Sequence, residues 1–369
     1  MRYAGRTVDP CYRVKHVWPN ASRVHAPGHR LPLVDFLDYR SAGLHHSRAT
    51  SGRPACARSD GRLRDDDYKA PLLKSDTRAG NPVVSVIIPV HNAKDVLDDQ
   101  LRALARQDYE HPFTVIISDN GSTDGLREHI ENHCLRGALD LKYVDAEGKP
   151  GASFARNRGA DAARTELLAF CDADDAVHPT WLRRIVAGLD EYGLVGTGLE
   201  TETLNSVATR ASTPFAPPSD QGKSTFLPFA IGASMACRRS TYRELGGMLE
   251  HVHASEDMEF SWRAQHAGCR LHFIAEPLVS YRLRTGHREN WKQAGALGYG
   301  SAHVRGLYRA HGCPPFRARS ISVALLMLGV RNPLLPTAVT KMPTRLWLRL
   351  VAAHLGLVRG GRRYGSLAW

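Results

Sequence analysis

Three acids crowd into four positions at Asp172-Ala173-Asp174-Asp175, directly after the apolar run Glu166–Cys171 (ELLAFC). Carboxylates this close repel one another unless a cation sits among them. Hard cations such as Mg²⁺ or Mn²⁺ take carboxylate and phosphate oxygens alike, and a metal held there could neutralise charge on a departing diphosphate. The competing reading is a solvated acidic turn that caps a helix beginning near Pro179-Thr180. A second polar group, Asp119-Asn120-Gly121-Ser122-Thr123-Asp124, follows Phe113–Ser118. Asp119 could accept a hydrogen bond from a nucleobase imide; it could equally close an Asx turn or cap a helix. A third group, Pro89-Val90-His91-Asn92, ends the first apolar run. Arg156 lies in Gly151–Gly159 (GASFARNRG), and its planar fork suits a phosphate, although alone that stretch reads as a surface helix. Glu256-Asp257 opens another helical stretch, where acids are favoured by the helix dipole. The chemical reading is a general base that takes a proton from an acceptor hydroxyl.

These groups need a frame, and the residues before each of them predict one. Val83–Pro89 (VVSVIIP) is short, apolar and β-branched, as a strand buried on both faces requires. Val96, Leu97, Leu101 and Leu104 share one face of a helix over 93–106. Phe113–Ser118 predicts a second strand and 124–134 a second helix. Leu141–Val144 and 154–163 make a third pair, and 166–171 a fourth strand. Alternating strands and helices mean βαβ units and a mostly parallel sheet, where ligands bind beyond the carboxyl ends of the strands. Those ends are Ile88, Ser118 and Cys171, which raises the metal reading of the acidic trio. Further on, Ser212–Ser219 predicts a loop, and Met258–His266 a helix ended by Gly268.

Charge divides the chain into three. Residues 1–80 carry fifteen Lys/Arg against eight Asp/Glu, residues 290–369 carry twelve Lys/Arg and no acid, and the middle, 81–289, is left net acidic. The overall charge of +12 therefore does not describe a basic core, and no nucleic-acid partner is expected. Residues 1–80 show no sustained period and read as a disordered or loosely structured extension. Seven scattered cysteines without a CxxC pair argue against structural zinc and a disulfide framework and fit a reducing cytoplasm. The N-terminus lacks the apolar stretch of a secretory signal. The longest apolar run, Ile321–Val330, is too short to cross a bilayer.

Taken in order, VSVIIPVHN, IISDNGSTDG, GASFARNRGA, LLAFCDADD, MACRRSTYRELGGM and SEDMEFSWRAQHAG resemble the family 2 glycosyltransferases, inverting enzymes of the GT-A fold. The resemblance runs from about residue 83 to about residue 284. It implies an α/β, Rossmann-like, mostly parallel sheet flanked by helices; beyond it, residues 290–369 read by their own charge and pattern as a basic helical tail. It implies a metal-dependent, hexosyl-type transfer from a nucleotide sugar, with UDP- or dTDP-sugars favoured, to a hydroxyl of a glycan or lipid-linked acceptor in cell-envelope polysaccharide or glycolipid synthesis.

The roles it implies are specific. Pro89, His91, Asn92 and Asp119 would line the nucleoside, with Asp119 on the base. Arg156 would lie near the diphosphate and Asp172 at the ribose or metal. Asp174 would hold Mn²⁺ or Mg²⁺. Asp257 would be the catalytic base, with Glu256 shaping the acceptor site. Gly246-Gly247 resembles the family's turn before the acidic pair. Asn120 stands where the family often has an acid, and the QxxRW signature of processive members is absent, which points to transfer of one or a few sugars. His287 is a candidate for a downstream metal ligand.

On a helical projection of 344–363, Arg345, Arg349, Arg359 and Arg363 share a stripe. That pattern suits an anionic membrane surface at the inner face of the cytoplasmic membrane. The alternative is a tail docked on the catalytic domain, and Gly356, Gly360 and Gly361 weaken the helix itself. Two other functions fit less well. A sugar nucleotidyltransferase would carry a Gly-rich basic loop after the first strand. A non-catalytic carbohydrate-binding relative would not need intact acids at 172–175 and 256–257.

Overall fold

The computed structural model describes residues 83–368, apart from 334 and 337–341. The extension expected over 1–80 lies outside the described residues. The chain first forms β1 (Val84–Val90), α1 (Lys94–Leu104), β2 (Phe113–Asp119), α2 (Leu126–Glu131) and β3 (Asp140–Asp145). Then come α3 (Ala152–Ala162), β4 (Leu167–Cys171), the short β5 (Ala176–Val177) and α4 (Trp181–Gly188). The middle continues with β6 (Leu194–Glu200), α5 (Val207–Ser212), β7 (Ser234–Arg238), α6 (Arg239–Glu244), α7 (Glu256–His266) and β8 (Leu271–Ser280). The last part is helical: α8 (His287–Leu307), α9 (Ala318–Val330) and α10 (Thr344–Tyr364), with a small ladder of β9 (Phe316–Arg317) and β10 (Leu367–Ala368).

One sheet of eight strands carries the order β3-β2-β1-β4-β7-β6-β8-β5. The first four are parallel. β7 runs antiparallel to both its neighbours, β4 and β6, and β5 runs antiparallel to β8. The sheet is thus mixed and mostly parallel, an α/β fold of the GT-A kind. Alternation in β1 explains its burial: Val84, Val86, Ile88 and Val90 face one apolar layer, and Ile87 faces the other. Leu97, Leu101 and Leu104 of α1 and Trp181, Leu182 and Ile185 of α4 fill the first layer. Tyr242, Phe260 and Ala264 of α6 and α7 fill the second. α3 lies close on the sheet because Gly159 faces Ile87, where a Cβ would come within 2.5 Å of the isoleucine. The five cysteines of the described residues are all free.

The tail is packed, which corresponds to the docked alternative. α10 lies along α8, and the glycines that weaken it as an isolated helix form the contact. A Cβ on Gly298 would overlap the Ala353 carbonyl, one on Gly356 would overlap the Gly295 carbonyl, and one on Gly360 would lie 2.8 Å from the Tyr299 carbonyl. Each glycine costs about 1 kcal/mol of helix propensity but lets the two backbones touch. Gly356→Val is therefore expected to lower stability by about 1–3 kcal/mol through overpacking. Gly329→Ala in α9, where a Cβ meets nothing within 4 Å, should gain about 0.5–1 kcal/mol. Chemical denaturation of the two variants checks this, and wild-type stability in Gly356→Val would refute the seam.

Candidate active site

The parallel half of the sheet delivers its strand ends side by side. Val90 of β1 pairs with Asp119 of β2, and Ile87 pairs with Phe170 of β4. The loops after β1 and β2 are zipped together. Asn92, at φ 50°, accepts from the Thr123 N–H at 2.8 Å and donates its own N–H to Ser122 Oγ at 2.9 Å. His91 Nδ1 lies 2.9 Å from the Asn120 carbonyl, which makes Nδ1 the protonated nitrogen. Pro89 sits within β1 opposite Ser118. Asp124 Oδ2 accepts the Lys94 N–H at 2.9 Å and so caps α1 from a neighbouring loop.

Asp119 is only 4% exposed. Its Oδ1 accepts from the Ser122 N–H at 2.8 Å, forming the Asx turn, and its Oδ2 accepts from the Tyr143 hydroxyl at 2.7 Å. Each carboxylate oxygen has a second lone pair, so capacity for another donor remains. Arg127 covers the Tyr143 ring at 4.6 Å. Neither Tyr143 nor Arg127 was expected at this position.

Arg156 ties the acidic loop to α7. One terminal nitrogen donates to Asp172 Oδ1 and the other to Glu256 Oε1, both at 2.8 Å. Its side chain is buried. Burial alone would loosen its proton, but Asp172, Glu256 and Asp257 more than compensate and hold it charged more firmly than an ordinary arginine. Each of its terminal nitrogens thus engages a carboxylate. Glu256 is likewise a partner of Arg156.

The loop Asp172–Asp175 is braced from behind. Gln100, a polar residue on the buried face of α1, donates to the Asp172 carbonyl at 3.1 Å and accepts the Val177 N–H at 2.9 Å. Arg282 donates its backbone N–H to Asp175 Oδ1, Nε to the Asp174 carbonyl and Nη2 to Asp99 Oδ2. Burial and then Asp172 push the Asp174 carboxyl up. Burial, Asp174 and Asp172 hold Asp175 well above the carboxylate range, and Asp175 Oδ2 is buried with no partner. Crowded acids with an orphaned oxygen fit a hard divalent ion. His287, at the start of α8, is exposed and no hydrogen bond joins it to these acids.

Among the described residues, the trio whose ligand atoms all lie within 4.8 Å of one another is Asp98, His129 and His133, outside this cleft. Here the chemistry does not favour a metal. His133 Nδ1 accepts the Leu135 N–H at 3.2 Å, so Nε2 carries the proton and donates to Asp98 at 3.1 Å. Metal-bound histidines donate from the second nitrogen instead. The trio is a hydrogen-bonded tie between α1 and α2, and its histidines, His133 first, hold the Asp98 carboxyl down at about 2.

Asp257 stands in the first turn of α7. Its Oδ2 accepts the Gly232 N–H at 2.9 Å and its Oδ1 the Met258 N–H at 2.8 Å. Burial, then Glu256, push its carboxyl up to about 6, against the pull of both amides and Arg156. Ala254 and Ser255, the two residues before α7, both hold positive φ, at 65° and 64°. Such conformations cost about 1–3 kcal/mol each and concentrate at functional sites. They turn the chain so that Glu256 and Asp257 face the end of β4.

Comparisons with known proteins place the chain in a family. The model of glycosyl transferase family 2 matches residues 85–246, and that of glycosyl transferase family group 2 matches residues 167–358, more than half the chain. Glycosyltransferase AglE of Haloferax volcanii is 29% identical over 207 residues, covering 55% of this chain and 68% of the relative. Pre-mycofactocin glycosyltransferase of Mycobacterium tuberculosis is 28% identical over 230 residues, covering 59% and 46%. The chain thus spans about two thirds of the first relative and less than half of the second. Among solved structures, mannosyltransferase PcManGT from Pyrobaculum calidifontis in complex with GDP-Man and Mn²⁺ is 20% identical with a TM-score of 0.49, covering 79% of this chain and 92% of that one. S. aureus TarS 1-349 in complex with UDP-GlcNAc is 19% identical with a TM-score of 0.45, covering 60% and 69%. By its matched family models and the fold that carries them, the chain belongs to glycosyltransferase family 2.

Proposed function

We propose that the protein transfers a hexosyl group, with inversion, from a nucleotide-diphosphate sugar to a hydroxyl of a glycan or lipid-linked acceptor. The observation that carries this reading is the line Asp174, Asp172, Arg156, Glu256, Asp257. It joins the acidic strand end to a carboxylate whose pKa suits a base. Asp257 takes the acceptor proton as the hydroxyl oxygen attacks the anomeric carbon, and the bond from that carbon to the diphosphate oxygen breaks on the opposite face. The Gly232 and Met258 amides fix the orientation of the Asp257 carboxylate. Pro89, His91, Asn92 and Asp119 line the nucleoside, and a uracil or thymine imide N–H can reach the remaining lone pairs of Asp119. Asp174, with Asp172, would hold Mn²⁺ or Mg²⁺, which supplies positive charge to the leaving diphosphate. Arg156 acts through Asp172 and Glu256, as a positioning residue.

A thermal-shift screen of nucleotide sugars with and without Mn²⁺ tests the donor, since a ligand that binds the folded state alone raises its melting point. Asp174→Ala should lower Mn²⁺-dependent donor affinity at least about tenfold while leaving the metal-free melting point near wild type. Equal Mn²⁺-dependent shifts in wild type and variant would refute the metal assignment.

A further inference from the structure

Among the described residues, helix α9 has one exposed apolar face. Its buried side is occupied: Ile321 packs with Ala302 of α8 and Leu357 of α10, and Ala324 and Leu328 are also buried. On the other side Val323 is 53% exposed, Leu326 68%, Met327 47% and Val330 61%. At about 100° per residue these four fall on one stripe with Arg319. Single exposed aliphatic residues are ordinary, whereas four adjacent ones form a patch that marks an interaction surface. No described helix is long and apolar enough to cross a membrane.

Charge selects the occupant. Residues 290–369 hold twelve Lys/Arg and no acid, and Arg317, Arg319 and Arg331 are exposed at the two ends of α9. Of the α10 arginines, Arg345 and Arg349 are half-buried against protein, whereas Arg359, Arg362 and Arg363 are exposed. Arg345 donates to Ser212, Arg349 lies 3.5 Å from Asn290 and Gln293, and Arg359 and Arg363 stack over Tyr299 and Tyr364. We propose that α9 is an element that lies on an anionic lipid surface. Its aliphatic stripe sits among the acyl chains and its flanking arginines sit at the phosphates. A second copy of this chain is a poorer occupant, because two acid-free, arginine-rimmed faces brought together by a two-fold axis repel.

Flotation of the full chain with phosphatidylcholine vesicles, with and without phosphatidylglycerol, tests the proposal. The wild type should float with the anionic vesicles and bind neutral ones weakly. Leu326→Glu/Val330→Glu should lower the bound fraction at least about tenfold, with an unchanged circular dichroism spectrum and melting point. Arg319→Gln/Arg331→Gln should weaken binding at least about fivefold at low salt. The proposal falls if the wild type does not bind, or if the glutamate variant binds equally well. It also falls if sedimentation finds a dimer that the glutamate variant splits.

Discussion

Replacing Asp257 with asparagine is expected to lower kcat by about 10²–10⁴-fold, the usual worth of a positioned base, while donor affinity measured by calorimetry stays near wild type. The substitution keeps the shape but not the proton acceptor. One of the two amides now at the carboxylate, Gly232 N–H or Met258 N–H, would face an NH₂ group, a cost of about 1–3 kcal/mol. Relief of a buried charge opposes that cost, so the fold should survive. The wild type has a matching pH signature. With the carboxyl raised to about 6, kcat/KM should fall tenfold per unit below that pH. The folded state then holds the proton more tightly than the unfolded chain. The corresponding stability is complete below the ordinary aspartate pKa and is lost as pH rises through about 6. Full transfer by purified Asp257→Asn protein would remove Asp257 from the role of base.

Arg156→Met is expected to be the most destabilising single change in the cleft, by about 2–4 kcal/mol in chemical denaturation. The variant strips the partner from Asp172 and Glu256 together. The cost falls below the fully buried limit because Asp172 keeps 29% exposure. Two further readouts separate this from simple loss of packing. Arg156 pulls the Asp257 pKa down, so its removal should move the acid limb of the pH–rate profile upward. Adding Glu256→Gln to Arg156→Met should restore part of the stability, since one of the two stranded charges is gone. A double variant no more stable than the single would contradict the ion-pair account.

Much of the parallel half of the fold was readable from residue type alone. Val84, Val86 and Ile88 on one side and Ile87 on the other admit little else than a strand covered on both faces. The helix over 344–364 was harder to read, because glycine lowers helix propensity wherever it stands. Its compensation, a backbone contact with α8, comes from residues some sixty positions away. The antiparallel entry of β7 escaped for a similar reason, since Ser234–Arg238 carries no mark of strand direction.

Among the chemical residues, the acids at 172–175 and 256–257 announced themselves by type, and the bond that unites them did not. The fork of Arg156 suits phosphate and carboxylate equally, and only the fold decides which it meets. Arg282 and Tyr143 gave no signal. Gln100 did give one, as an amide set in an otherwise apolar helix stripe.

The glycine notches between α8 and α10 have a mechanical consequence. They work as a keyed joint, in which each notch must sit opposite a particular carbonyl. One extra residue inside either helix turns everything beyond it by about 100°, presents side chains to those carbonyls, and drives the helices apart along the rest of their length. Drift in the length of either helix is therefore barred here.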